Sequence, residues 1–169
     1  MTQAKPSKTQ RKREQQALQA LGERLVELGE QERRELALGD RLEEAITDLE
    51  KMNSREAIRR QKQYIGKLMR DVDPQPILEL FARREAAEQH EQRLFASAER
   101  WRARLLADPD AAATEFAAAT GAERTSIEAL LERLAKAHSD REEKTARREL
   151  FRAIRAALEA GGTDVRIPR

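Results

Sequence analysis

The segment SREAIRRQKQYIGKLMRDVDPQPI, residues 54–77, contains the pattern that decides the fold. Its apolar residues recur at helical spacing, and they are Ile58, Ile65, Leu68, Met69 and Val72. Residues spaced three, four and seven apart share one face of an α-helix. The segment therefore predicts an amphipathic helix with one face in a core. The prolines at 74 and 76 end this pattern and begin another helix, because proline suits a first helical turn.

A second apolar stripe lies upstream, formed by Leu42, Ile46, Leu49 and Met52. At about 100° per residue, the two stripes point in directions roughly 160° apart. Either the helix breaks near Asn53 and Ser54, or one long helix presents opposite faces to different neighbours. We predict the long helix.

Further helices are expected on both sides of this region. Leucines at 18, 21, 25 and 28 predict a first helix over about 9–29, closed by Gly29, and 30–39 is predicted to be a connector. Asp40 and Glu43 have the spacing of a capping box, as do Thr125 and Glu128. The remaining predicted helices run from about 74 to 107, from Asp108-Pro109 to Gly121, from 125 to about 138, and from 142 to 160.

The predicted helix over 74–107 has apolar ends, but its centre, ARREAAEQHEQR (82–93), contains no large apolar residue. A helix that is polar all round usually bridges through solvent. We therefore predict an all-α protein of about five to six helices, an elongated dumbbell of two small helical lobes joined by a long polar helix. Its parts are a flexible basic arm (1–8), an N-terminal lobe (9–81), the connecting helix (82–93), a C-terminal lobe (94–160) and a tail (161–169).

The composition excludes several classes of protein. Among 169 residues there is no cysteine, so neither a disulfide framework nor a thiolate metal site is possible. No apolar stretch approaches the roughly 18 residues that cross a bilayer. These features predict a soluble, cytoplasmic protein without membrane association.

Catalytic motifs are also missing from the sequence. The two histidines, His90 and His138, are far apart and lack the spacing of paired metal ligands. No phosphate-binding glycine loop or nucleophile motif is present, and carboxylates occur mainly where they can pair with bases along helices. We therefore predict a binding protein with no catalytic residue, cofactor, metal or small-molecule substrate.

Positive charge is concentrated around Gly66. On a helical wheel, Gly66 falls among Arg55, Arg59, Lys62 and Arg70, with Arg60 and Lys67 further round. Glycine inside a helix costs roughly 1 kcal/mol relative to alanine. One interpretation is a nucleic-acid-docking helix whose missing side chain lets phosphates approach. The other is a solvated basic face with a glycine used for helix packing.

Tyr64 has two interpretations as well. It lies at the edge of the apolar arc, where it can stack on an unpaired base or pack half-buried against the protein.

The net charge of +2 hides two further basic elements. The N-terminal arm supplies Lys5, Lys8, Arg11, Lys12 and Arg13. The last helix supplies a stripe of Arg141, Lys144, Arg148, Arg152 and Arg155. Three separated basic elements suit a large folded RNA better than a short DNA site, although the acidic blocks between them can instead pair with these bases.

Three segments together resemble the DarP family, also called YjgA, of bacterial ribosome-associated proteins. RRQKQYIGKLMR (59–70) resembles the family signature, SKTQRKREQQALQALGERLVEL (7–28) its opening basic helix, and RRELFRAI (147–154) its closing segment. Two departures are Gly39, where the family pattern suggests a proline-containing loop, and REEKTARR (141–148), which lacks prolines expected before the last helix.

The resemblance implies an all-helical, dumbbell-shaped protein that binds late precursors of the large ribosomal subunit and acts in maturation of the peptidyl transferase centre. It implies a favoured rRNA-facing group, with Arg147 and Arg148 as weaker candidates. That group is Arg59, Arg60, Gln63, Tyr64, Gly66, Lys67 and Arg70.

The combined hypothesis is a monomeric, non-catalytic assembly factor whose partners are 23S rRNA and the pre-50S or 50S subunit. The rRNA-binding residues also include Arg55, Lys62, Lys8, Arg11, Lys12, Arg13, Lys144 and Arg152. The alternative is a helical protein-interaction adaptor whose basic faces only aid solubility. A DNA-binding helical protein is a third option.

Overall fold

The computed structural model describes residues 7–161, and within that range every regular element is helical. The α-helices are α1 (Lys8–Arg24), α2 (Glu30–Glu35), α3 (Asp40–Lys51), α4 (Arg55–Leu68), α5 (Gln75–Ala107), α6 (Pro109–Thr120), α7 (Arg124–Ala135) and α8 (Asp140–Gly161). Short 3₁₀ turns, Leu25–Glu27 and Met69–Asp71, follow α1 and α4. The all-α prediction is confirmed for this part of the chain, but eight helices replace the predicted five to six. Residues 1–6 of the predicted arm and 162–169 of the predicted tail lie outside the described residues.

One extra helix, α2, occupies the predicted connector. The Glu32 carboxylate accepts a hydrogen bond from the Gly29 N–H at 3.0 Å, which satisfies a donor at the helix N-terminus. Arg33 is buried, and its guanidinium donates to the Leu28 carbonyl and to Glu50, each at 2.8 Å. The bond to Glu50 attaches α2 to α3, and the two bonds together explain why a polar segment is ordered here.

The predicted long helix over 42–72 is wrong, because the chain turns between α3 and α4. Met52 and Ser54 have extended backbones, with ψ of 134° and 125°. The turn brings α3 beside α4, and the Gln61 side chain donates to the Ala45 carbonyl at 2.8 Å. Both apolar stripes can then enter one core, which a straight helix would prevent.

Neither predicted capping box forms. Asp40 is the first helical residue of α3 and follows Gly39, whose φ of 83° favours glycine. Thr125 lies inside α7, which begins one residue earlier at Arg124. In contrast, Asp108 caps α6 and Gly121 ends it in the left-handed region with φ of 75°, as the sequence predicts.

The chain divides into two compact units, Met1–Arg84 and Glu85–Arg169. The core of the first unit consists mainly of Leu, Ile and Met side chains from α1, α3, α4 and the start of α5. The core of the second unit contains the large aromatic pair Trp101 and Phe116, whose ring centroids are 5.1 Å apart at 70°. Each unit therefore has its own buried apolar cluster.

The boundary between the units falls within α5, whose observed bounds agree with the prediction. Nearly all of the polar segment 82–93 is exposed. The arrangement of the lobes as a dumbbell stays a prediction. Within residues 7–161, every helix is too short or too polar to span a bilayer.

Candidate nucleic-acid interface

The helix that carries the central motif, α4, begins after Ser54, whose carbonyl accepts a hydrogen bond from the Ile58 N–H at 2.9 Å. Glu56 lies in the first turn, where a negative charge favours the helix N-terminus. Ile65 is fully buried on this helix, as is Met69 in the turn that follows. One face of α4 is thus fixed in the core of the first unit, and the position of its basic residues follows from this.

On its buried side, α4 packs against α3 and, with the larger contact, against α1. Two glycines lie in this contact. A Cβ added to Gly22 of α1 would lie 2.6 Å from Cγ2 of Ile65 and 2.9 Å from Cγ of Met69. A Cβ added to Gly66 of α4 would lie 3.0 Å from Cβ of Gln19 and 3.3 Å from its Cα. Each helix therefore uses a glycine where the other approaches.

The prediction that Gly66 lies on the open basic face is wrong. The residue is buried against α1, so its missing side chain makes room for Gln19 and its own backbone is covered. The packing interpretation considered for this glycine describes its surroundings correctly. A helical wheel did not predict this burial, because it assigns only the apolar residues to the core. It therefore took no account of a polar neighbour such as Gln19.

Lys62 also faces α1. Its ammonium group lies 2.7 Å from a carboxylate oxygen of Glu23. Partial burial of Glu23 acts to raise the pKa of its carboxyl, but hydrogen bonds from Lys62 and Gln19 and the charge of Lys62 outweigh it. The pKa of Glu23 is consequently below its ordinary value. Lys62 thus takes part in helix packing, which reduces its availability to a ligand.

Arg59 and Arg60 are exposed, and both contact Glu56. Arg59 lies 2.9 Å and Arg60 3.0 Å from the same carboxylate oxygen. Hydrogen bonds from Arg59 and then from Arg60 hold the pKa of Glu56 below its ordinary value. One carboxylate shared by two guanidinium groups leaves a net positive charge at the start of α4.

Farther along the exposed face, Gln63, Tyr64 and Lys67 follow Arg60 at helical spacing. Tyr64 is 44% exposed, which is compatible with both interpretations of this residue, base stacking and half-buried packing. Among the described residues, Arg55, Lys67 and Arg70 have no ion-pair partner. We call the exposed set the α4 face, and its members are Arg55, Arg59, Arg60, Gln63, Tyr64, Lys67 and Arg70.

The N-terminal basic residues are in α1. Lys8, Lys12 and Arg13 are exposed in its first two turns, ahead of the Gln19 contact with α4. Lys8 is thus helical, although the sequence placed it in a flexible arm. Lys5 and the side chain of Arg11 lie outside what the structure describes. The first unit therefore carries exposed positive charge on both α1 and α4.

In the second unit, α8 buries Leu150, Ile154 and Leu158, and its basic residues lie outside this buried stripe. Arg147 pairs with Glu143 at 2.8 Å, and Arg155 pairs with Glu91 of α5 at 2.7 Å. The exposed cations of α8 that lack an ion-pair partner within residues 7–161 are Arg141, Lys144, Arg148 and Arg152. Three of them, Lys144, Arg148 and Arg152, are residues of the C-terminal lobe that the sequence predicts to bind rRNA. Arg147 is the fourth residue of that predicted group.

Sequence reasoning missed an aromatic contact beside this group. Phe95 of α5 is 51% exposed and lies edge-on to Phe151 of α8, with ring centroids 5.6 Å apart at 64°. The guanidinium carbon of Arg102 lies 5.5 Å from the centroid of Phe151. An apolar pattern predicts both phenylalanines as core residues, and only the packing of α5 on α8 reveals that Phe95 remains exposed.

Within residues 7–161, no group of three or more His, Asp or Glu side chains is arranged to hold a metal ion. His90 and His138 are both exposed, and the backbone N–H of His138 donates to the Glu142 carboxylate at 2.8 Å. The geometry of the described chain thus offers cationic helix faces with exposed aromatics, a combination that suits polyanion docking.

Comparisons with known proteins give the class of protein. The family model described as "Dual-action ribosomal maturation protein DarP" matches residues 4–155. The DarP protein of Thiobacillus denitrificans is 37% identical over 156 residues, which cover 92% of this chain and 89% of that protein. The DarP protein of Methylobacillus flagellatus is 36% identical over 154 residues, covering 91% and 86%. That of Nitrosospira multiformis is 49% identical over 108 residues, covering 62% and 58%.

The match extends over both units and includes α1, the α4 face and most of α8. This chain belongs to the DarP family.

Proposed function

We propose that this protein is a non-catalytic ribosome-maturation factor that docks on rRNA of an immature large subunit. Family membership supports the coarser role, because the relatives carry the name of ribosomal maturation proteins. The α4 face is the observation that supports rRNA as the ligand. It presents five exposed Lys or Arg side chains, and within residues 7–161 Glu56 is the one carboxylate that pairs with them.

The mechanism follows from the chemistry of these side chains. Cations that contact phosphates release the counterions condensed on RNA, and this release drives binding. Arg55, Lys67 and Arg70 need not break an ion pair first, because they have none among the described residues. Contacts of this kind position a protein on RNA, and contacts to bases add selectivity.

Several finer features belong to the proposal. The target is 23S rRNA in the pre-50S particle, and binding favours late folding around the peptidyl transferase centre, as the family resemblance implies. The protein acts in the cytoplasm as a monomer. The proposed contact residues are the α4 face, Lys8, Lys12 and Arg13 of α1, and Lys144, Arg147, Arg148 and Arg152 of α8.

A charge reversal with a matched control tests this function. The variant Arg60→Glu with Lys67→Glu changes two exposed residues of α4 and leaves its buried face intact. We expect about tenfold or greater loss of co-sedimentation with large-subunit precursors near physiological salt, because each lost phosphate contact removes counterion release. Arg41→Glu with Lys51→Glu makes the same charge change on the exposed side of α3 and should retain binding.

Two outcomes would contradict the proposal. Equal binding of the α4 variant and wild type across a salt series would exclude α4 as a docking helix. Retention of the protein on particles after RNase treatment would favour the protein-interaction adaptor, since a direct rRNA contact should be released. Helicity by circular dichroism must be unchanged in both variants.

A further inference from the structure

The contact between α5 and α8 in the second unit combines an exposed aromatic side chain with arginines. Phe95 is the most exposed of the large hydrophobic residues in the described part of the chain. An isolated exposed hydrophobic residue is ordinary. Here, however, the ring of Phe95 contacts that of Phe151, which is half-buried and has Arg102 beside it.

A shallow cavity of about 240 Å³ lies next to this pair. Phe151 forms its aromatic wall, and its other lining residues are Glu99, Arg102, Arg147, Arg148 and Arg152. Pockets for drug-sized ligands have volumes of roughly 300–1,000 Å³. This cavity is smaller and open, so it suits one unit of a longer chain better than an enclosed free ligand.

The charges at the cavity favour an anion. Its one carboxylate, Glu99, lies 2.6 Å from Arg102 and is neutralised by it. Glu91, the other carboxylate one helical turn from Phe95, lies 2.7 Å from Arg155. Arg148 and Arg152 have no ion-pair partner among residues 7–161. Positive charge therefore remains available on the α8 side of the aromatic pair.

A nucleotide in an unpaired strand has a flat aromatic base, which suits the phenylalanine pair, and a phosphate, which suits the arginines. Proteins recognise unpaired RNA by stacking bases on aromatic side chains while cations track the backbone. A duplex hides its base faces, so it can use the arginines but not Phe95. A purely apolar protein partner would gain nothing from the two unpaired guanidinium groups.

We infer that Phe95 and Phe151 form a stacking site for an unpaired RNA base, with Arg148 and Arg152 contacting the adjacent phosphates. We call it the α5–α8 site. The inference rests on the proposed function, because it specifies which form of RNA the second unit binds. It assigns single-stranded RNA to the α5–α8 site, whereas the contacts proposed for α4 are mainly with phosphates.

The test compares two RNA probes with the full-length protein. One is a 12-nucleotide single strand that contains 2-aminopurine, and the other is a duplex of similar length. The variant Phe95→Leu keeps an apolar side chain but removes the aromatic face. We expect it to bind the single strand at least about fivefold more weakly and to lose 2-aminopurine quenching, with duplex affinity unchanged.

Three further variants control the interpretation. Phe95→Tyr should bind like wild type, since it restores an aromatic ring. Leu106→Ala removes another exposed apolar side chain from α5 and should have no effect. Arg148→Gln with Arg152→Gln should weaken binding of both probes and reduce the salt dependence, and it tests the site even if the Phe95 variant folds poorly.

Unchanged single-strand affinity of a folded Phe95→Leu protein would overturn the inference, whatever the arginine variant shows. So would loss of particle binding by Phe95→Leu that persists after RNase treatment, because that result assigns the site to a protein partner. The co-sedimentation test of the α4 variant does not depend on these probes. If that test succeeds and the Phe95 test fails, only the stacking site is excluded.

Discussion

Each unit has an exposed aromatic residue, Tyr64 in the first and Phe95 in the second, near cations that have no ion-pair partner within residues 7–161. The two units differ in how these cations lie relative to the packed side of their helix. In the first unit, α4 turns one side to solvent and an adjacent side to α1, where Gly66 and Lys62 take part in packing. In the second unit, Arg148 and Arg152 of α8 lie on the side away from its buried leucine and isoleucine side chains. The exposed cations therefore adjoin the packing surface on α4, whereas Arg148 and Arg152 lie away from the buried stripe of α8. We expect substitutions in the two places to have different consequences.

The largest effect is expected in the aromatic core of the second unit. Phe116→Ala removes a fully buried ring that contacts Trp101, and it should destabilise the protein by about 3–5 kcal/mol. Phe95→Ala, the same change at an exposed position, should have a much smaller effect on stability. Urea unfolding followed by circular dichroism measures both. Equal destabilisation by the two substitutions would show that Phe95 is a core residue.

The next largest effect is expected at the contact between α1 and α4. Gly66→Leu places a side chain against the backbone and Cβ of Gln19, and overpacking of this kind costs about 1–3 kcal/mol. The melting temperature should fall by several degrees. Gly29→Ser is the control, because a Cβ there meets only the Glu32 carboxylate at 3.6 Å. A Gly66→Leu protein with wild-type stability and impaired RNA binding would restore the phosphate-approach interpretation.

Glu56 allows the opposite change, a gain of binding. Glu56→Gln removes the carboxylate shared by Arg59 and Arg60, so we expect roughly two- to fivefold tighter binding to large-subunit precursors. Hydrogen bonds from Arg59 and Arg60 lower the pKa of Glu56, which shows that this carboxylate interacts with both arginines in its charged form. Weaker binding of the Gln variant would mean that the ion pairs orient the arginines for RNA. Glu44→Gln on α3 is a control with the same charge change.

The smallest effect is expected from the ion pair between α1 and α4. Glu23→Gln should reduce stability at neutral pH by about 0.5 kcal/mol, since both groups are partly exposed. A lowered pKa in the folded state means that Glu23 stabilises the protein above its unfolded pKa. That contribution is lost as the pH falls through the folded-state pKa. The difference between wild type and variant in thermal unfolding should therefore shrink in acid, and a constant difference would contradict the assignment.

Much of the fold could be predicted because local signals and packing agree. The bounds of α5 follow from the prolines near residue 75 and from Asp108, and α6 follows from Asp108 and Gly121. The helix count could not be predicted in the same way. The break before Ser54 depends on two apolar stripes sharing one core, and α2 depends on Arg33 reaching Glu50. Both are tertiary effects that residue spacing does not encode.

The candidate interface was predictable to a similar extent. Charge and helical spacing locate the α4 and α8 cations, which are exposed as expected except for Lys62 and Arg155, both partly buried in ion pairs. The surroundings of Gly66 depend on the polar residue Gln19, and the exposure of Phe95 depends on how α5 packs on α8. A helical wheel of one helix contains neither fact. The predictions are therefore wrong or incomplete at residues whose environment is determined by a second helix.

Crosslinking in cells tests the central claim most directly. Ultraviolet crosslinking followed by sequencing of the attached RNA and mass spectrometry of the attached peptides gives both sides of the contact. We predict large-subunit rRNA joined to peptides of the α4 face and of α8 around Arg148 and Arg152. Absence of rRNA, or crosslinks confined to the acidic α2 and α3 region, would contradict the account.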